Sequence, residues 1–171
     1  MKYFLATFLI IVFAAVFIFY TYPSKKVDRA IKIDKIIVEK SKRKMHIYSK
    51  GECVKTYIIS LGKNPTGDKK FEGDKKTPEG KYFIYNKNPN SECYKNLGIS
   101  YPSKQDMEEA KRLGKKVGGS IKIHGLLNGK GWIGKFHRFQ DWTAGCIAVT
   151  NEEMEELYQI IEVGTPIIIK P

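Results

Sequence analysis

Cys146 is the side chain in this sequence best suited to attack a carbonyl. It follows a glycine in the run Asp141-Trp142-Thr143-Ala144-Gly145-Cys146-Ile147-Ala148-Val149, and Ile123-His124-Gly125 lies upstream. A thiol is the strongest side-chain nucleophile at neutral pH, and a nearby imidazole raises its thiolate fraction. This predicts a Cys146 pKa below the ordinary thiol value, with His124 as the base. A glycine before the nucleophile lets the backbone turn tightly and approach a substrate carbonyl, as an oxyanion hole of main-chain N–H groups requires. The plainer reading of the pair is a structural cysteine beside a core histidine, since free cysteine usually behaves as a small hydrophobe.

Order along the chain narrows the possibilities. After Cys146 there is no histidine and no arginine, and Lys170 is the only cation. Papain-like enzymes place the base downstream of the cysteine, and sortases need an arginine beyond it, so neither matches. The His-Gly strand followed by Thr143-Ala144-Gly145-Cys146 resembles the L,D-transpeptidase (YkuD-like) catalytic domain family. More narrowly, Asp141 to Thr150 is similar to its Asp-Trp-Thr-x-Gly-Cys branch. The loop Gly67 to Gly80, the stretch Asn88-Pro89-Asn90-Ser91, and Ile99-Ser100-Tyr101-Pro102 resemble the same family in the same order. The resemblance covers about Ile33 to Pro171.

That resemblance implies a β-sandwich catalytic domain acting on peptidoglycan stem peptides without a cofactor or metal. It implies Cys146 as nucleophile and His124 as general base, with the imidazole oriented by the Gly125 carbonyl. Thr143 fills the Ser/Thr position, and the N–H groups of Gly145 and Cys146 are the implied oxyanion donors. Two positions depart from the commoner pattern. Ala144 stands where many members carry histidine, and Ala148 where many carry arginine or asparagine. A candidate carboxylate clamp is thereby removed, which leaves donor and acceptor open. Three outcomes remain: a transpeptidase, a hydrolase of the same fold that releases cross-links or attached proteins, and a non-catalytic wall-binding domain.

Substrate contacts are expected in the loop before the nucleophile, where site residues concentrate. His137, Arg138, Asp141 and Trp142 are the candidates. Arg138 has the planar fork that suits a carboxylate, and a salt bridge to Asp141 is its plainer role. His46 alternates with apolar neighbours and reads as an outward strand residue.

Phe4 to Tyr20 carries no charge, and at 1.5 Å per residue it is just long enough to cross a ~30 Å hydrocarbon layer. Bulky residues after Val16 leave no small-residue cleavage site, which favours an uncleaved anchor over a signal peptide. Residues 1–24 are therefore read as a membrane anchor, 25–32 as a linker and 33–171 as one catalytic domain. The positive-inside rule does not orient the anchor, because Lys2 faces Lys25, Lys26 and Arg29 across it. The domain is placed outside the cytoplasm by its inferred substrate, on the periplasmic or cell-wall side. The net charge of +12 fits an anionic membrane or cell-wall surface. Nucleic acid is not expected: the lysines are scattered over loops such as Lys69-Lys70 and Lys75-Lys76 without a recognition motif.

Cys53, Cys93 and Cys146 have no C-x-x-C spacing, so no structural zinc is expected; Cys53 and Cys93 are free to pair in an oxidising compartment. The pattern predicts a mainly β domain with few short helices. Strands are expected over Ile31–Glu39, Lys44–Ser49, Cys53–Leu61, Lys81–Asn86, Ser120–His124 and Ile167–Ile169. Ser103 is expected to cap a helix over Lys104–Leu113. Thr150-Asn151-Glu152-Glu153 is a capping box for a helix whose apolar face is Met154, Leu157, Ile160 and Ile161. The Gly67–Gly80 loop lacks the Lys-Ser/Thr ending of a phosphate loop.

Overall fold

The computed structural model describes residues 2–171. An apolar helix, α1 (Lys2–Thr21), precedes eight strands and two shorter helices. In β1 (Lys35–Glu39) the alternation buries Ile36 and Val38, and in β2 (Lys44–Ser49) it buries Met45 and Ile47. Lys50 and Gly51 both take positive φ (51° and 84°), the geometry that closes a two-residue hairpin into β3 (Glu52–Ile58) without splaying the strands. The C-terminal β8 (Pro166–Lys170) runs parallel to β1 and inserts Ile167 and Ile169 into the same core.

β4 (Gly80–Ser91) joins the two halves of the sheet. Gly80–Phe83 pair with β8, and after a register shift the rest pairs with β5 (Tyr94–Ile99). The expected strand ends at Asn86, whereas β4 continues to Ser91. Its polar Lys-Asn-Pro-Asn composition hides a segment held by backbone pairing more than by burial. β5 was likewise not foreseen. β6 (Lys122–His124) follows antiparallel to β5, and β7 (Ile147–Ala148) lies parallel to β6, giving the order β3-β2-β1-β8-β4-β5-β6-β7. Bridges from Ser60 to Ala148 and from Gly62 to Thr143 carry the chain beyond β3 back onto β7. The mixed sheet thus folds round on itself about one core.

α2 (Lys104–Arg112) and α3 (Asn151–Ile160) each begin with a capping box, Ser103 with Asp106 and Thr150 with Glu153. α3 buries Met154, Leu157 and Ile160 in the shared core, at roughly 1.5–3 kcal/mol per side chain of this size. The stretch 25–32 is docked: Val27 and Ile31 pack on the core, and the Val27 N–H donates to Glu156 Oε1 at 2.6 Å.

Two buried lysines shape the long loop between Gly62 and Gly80. Lys40, 2 % exposed, donates to the carbonyls of Gly67 and Thr77 and to Glu79 Oε1. Lys69, read from sequence as a solvated loop charge, is 4 % exposed and pairs with Asp74 at 2.8 Å. Asp74 also accepts the main-chain N–H groups of Lys70, Phe71 and Lys76. A buried ion pair persists when its remaining hydrogen-bonding capacity is filled, and here it is. This loop forms one wall of the site described next.

Candidate active site

His124 ends β6, and Cys146 immediately precedes β7, its parallel neighbour. The register pairs Ile123 with Ile147 and His124 with Ala148. Side chains alternate along a strand, so Ile123 and Ile147 enter the core while His124 and Cys146 share the opposite face. His124 Nδ1 lies 2.7 Å from the Gly125 carbonyl. A carbonyl only accepts, so Nδ1 carries the proton and Nε2 keeps the basic lone pair. The imidazole is buried and Trp142 packs edge-on against it, with ring centroids 5.6 Å apart. Asn151, the first residue of α3, fixes the following chain by accepting the Leu126 N–H at 2.8 Å.

The turn from Thr143 to Cys146 is stapled by the Thr143 hydroxyl. It donates to the Cys146 carbonyl at 2.7 Å and accepts the Gly145 N–H at 3.1 Å. Of the two N–H groups implied as oxyanion donors, that of Gly145 is thus held by Thr143. Among the described residues the Cys146 N–H has no protein acceptor. Gly145 adopts φ +136°, and a Cβ there would sit 2.6 Å from the Lys76 carbonyl. Gly62 is as constrained, its missing Cβ falling 2.2 Å from the Lys75 carbonyl and 3.0 Å from Gly145 Cα. The loop held by Lys40 and Asp74 therefore presses directly on the turn.

Burial pushes the Cys146 pKa up, against the smaller pull of the Lys122 N–H and ammonium, and Sγ–H donates to the Ser120 carbonyl at 3.6 Å. Burial also pushes His124 down, although its bond to Gly125 opposes the shift. The expected lowered thiol pKa is thus overturned by desolvation, which penalises both charged forms. Both shifts favour the neutral forms, thiol and imidazole.

The other candidates separate into those near the imidazole and those committed elsewhere. Arg138 pairs with Glu153 at 2.7 Å, not with Asp141. Asp141 instead receives Arg43 at 2.8 Å and the Leu61 N–H at 2.8 Å, clamping the segment before Cys146 to the chain just beyond β3. His137 is 6 % exposed. Ser60 Oγ donates to its carbonyl at 2.9 Å and lies 3.0 Å from its Nδ1. One hydroxyl proton serves one acceptor, so Nδ1–H donates to Oγ. Burial, with help from Arg138 and His124, pushes the His137 pKa down to about 4. His137 and Trp142 line a cavity of about 300 Å³ with Leu126, Ile133 and Phe136. His46 is tied to Glu39 and Thr56, away from this face. Cys53, Cys93 and Cys146 are all free thiols.

Sequence reasoning missed Ser60, Asp74, Ser120 and Asn151. Asp74, flanked by glycine and lysine in the Gly67–Gly80 loop, offered the only local signal. The other three act through contacts with residues distant in sequence. Ala148 is fully buried, bridged to Ser60 on one side and paired with His124 on the other. A long cationic side chain has no room there.

The L,D-transpeptidase catalytic domain model matches residues 33–169. Similar solved structures include the helical cell shape determining protein Pgp2 from Campylobacter jejuni, at 25% identity and TM-score 0.60, covering 82% of this chain and 48% of that one. Bd1075 from Bdellovibrio bacteriovorus aligns at 24% identity and TM-score 0.56, covering 85% and 50%. An L,D-transpeptidase from Xylanimonas cellulosilytica aligns at 15% identity and TM-score 0.53, covering 86% and 65%. The chain spans about half the length of the first two. A comparison with curated proteins found no match.

Proposed function

From the premise that this chain belongs to the L,D-transpeptidase catalytic domain family, we propose that it is a membrane-tethered cysteine acyltransferase acting on peptidoglycan stem peptides. The observation that carries this reading is the His124 tautomer: with Nδ1–H held by Gly125, Nε2 is the basic nitrogen on the face shared with Cys146. On substrate arrival the Cys146 proton passes to Nε2 as sulfur bonds to the carbonyl carbon of the diamino acid. The Cys146 N–H is the turn's remaining donor to the oxyanion. Collapse breaks the C–N bond, and the leaving amine takes the proton back from Nε2. An acceptor amine then attacks the thioester while His124 removes its proton. The C–S bond breaks and the thiol is restored.

The buried imidazole and the half-buried thiol suit this sequence. An ion pair in an apolar site is costly until substrate supplies the charge it stabilises, so proton transfer accompanies attack instead of preceding it. The α1 helix, apolar over Tyr3–Thr21 and read as an uncleaved anchor, holds the domain at the outer face of the membrane, where stem peptides lie. The cell-shape role carried in the name of Pgp2 agrees with wall remodelling.

Hydrolysis is the second reading. The tightly enclosed Ala148 leaves no cation two residues past the nucleophile to select a donor carboxylate. Purified full-length protein incubated with digested cell-wall fragments and read by mass spectrometry separates the outcomes. Transpeptidation gives new cross-links, and hydrolysis gives shortened stems or released partners. Unchanged fragments would leave a binding domain and defeat the proposal.

A further inference from the structure

The 3-10 helical segment Gly131–Phe139, which leads into the catalytic turn, exposes large apolar side chains. Trp132 is 73% exposed, Phe139 75% and Phe136 39%. Phe136 and Phe139 stack with ring centres 6.1 Å apart, and an apolar cluster this exposed marks a place where something other than water belongs. The neighbour of this patch is the end of α1. Phe19 lies 6.1 Å from Phe136 and 6.0 Å from Phe139, ring centre to ring centre, and Tyr20 stacks on Phe136 at 5.4 Å. Tyr20 Oη donates to the Trp132 carbonyl at 2.6 Å. Lys135 donates to the Phe19 carbonyl at 2.9 Å and to that of Tyr22, satisfying acceptors that a helix end leaves unpaired.

These contacts set the patch at the level where α1 leaves its apolar stretch. Tyrosine and tryptophan favour the boundary between hydrocarbon and headgroups, because their rings are apolar and their N–H or O–H is wet. Tyr20, Tyr22 and Trp132 supply that belt. Phe136 and Phe139 lie beside Phe19, and Lys25, Lys26, Arg29 and Lys130 are the nearby cations in sequence, suited to headgroup phosphates. We propose that Gly131–Phe139 is a second membrane contact, seated in the lipid interface beside α1, which fixes the height and tilt of the active site over the bilayer. The proposal rests on the reading of α1 as an anchor. Because the segment runs into Asp141–Cys146 and carries buried His137 on its inner side, its seating and the site's orientation are coupled.

The test uses the full chain in vesicles of phosphatidylcholine and phosphatidylglycerol whose acyl chains are brominated near the carbonyl end. The protein has two tryptophans, so Trp142→Phe reports Trp132 alone and Trp132→Phe reports Trp142 alone. Resistance to an alkaline carbonate wash first establishes whether α1 is inserted. With α1 inserted, Trp132 fluorescence is expected to fall by more than half in brominated vesicles relative to unbrominated ones. Trp142, packed against His124, is expected to lose several-fold less. Extraction by the wash overturns the anchor reading and this proposal with it. Retention with Trp132 quenched no more than Trp142 overturns this proposal alone, as does loss of quenching at high protein density, which would mean a second copy covers the patch.

Discussion

Cys146→Ala is expected to abolish turnover of stem-peptide fragments, and His124→Ala to lower it by on the order of 10³-fold or more. The double variant should be no slower than the worse single one, because nucleophile and base serve one step and their losses do not add. Cys146→Ser should be nearly as damaging as alanine, since a neutral imidazole that barely polarises a thiol cannot ionise the weaker acid of a hydroxyl. His46→Ala is the control. Its ring is held by Glu39 and Thr56 on β2, and turnover should stay within about twofold, a loss too small to count against general-base magnitudes. The acid limb of the wild-type profile carries a further expectation. Burial holds His124 below the ordinary imidazole value, so its base form survives to lower pH than a free histidine would allow. Activity should persist as pH falls through the usual imidazole range and decline only on passing the lower folded value. Steady-state rates against pH check the direction. A midpoint at or above the free-imidazole value would contradict the buried-base arrangement.

Gly145→Ala is the second large effect, and its origin is steric. The added methyl meets the Lys76 carbonyl at 2.6 Å and Ile121 Cδ1 at 3.2 Å, on a residue at φ +136°. That φ alone costs about 1–3 kcal/mol for a residue with a Cβ. The carbonyl is backbone, held by the Asp74-organised loop, so it cannot swing aside like a flexible side chain. Either the loop lifts or the turn opens, and both displace the Cys146 N–H and Sγ. Turnover should fall on the order of 10²-fold, the usual consequence of misplacing reacting groups by about 1 Å. Thermal unfolding of the variant should also shift downward. Undiminished turnover would mean that this turn does not set the position of the nucleophile.

Much of the frame was legible because local patterns matched tertiary needs. Ser103 and Thr150 start helices where their capping boxes say, and alternation in Lys44–Ser49 reproduces the observed strand residue for residue. Cys146 and His124 stood out through the spacing of a histidine-glycine strand and a glycine-cysteine turn, and the structure sets them on adjacent strands. What stayed hidden depends on partners far away in the chain. Arg138 looked available beside Asp141, yet Glu153 on α3 and Arg43 in the turn between β1 and β2 claim the two separately. Gly145 looked like an oxyanion donor, yet the Thr143 hydroxyl two residues earlier takes its N–H. The thiol looked activated because a histidine lay upstream, whereas its pKa is governed by burial, which no short motif encodes. The strand β5 was missed because Tyr94–Ile99 interleaves lysine, asparagine and glycine with its apolar residues.

The central claim is that acyl transfer passes through a thioester on Cys146, and it is tested most directly by trapping that species. Full-length protein mixed with stem-peptide fragments and quenched in acid within a turnover should gain the mass of the donor's acyl portion, lacking the leaving residue. Peptide mapping should place the adduct on the segment containing Cys146, and Cys146→Ala should show none. Turnover without any adduct, or with an adduct at another residue and full activity in Cys146→Ala, would contradict the account.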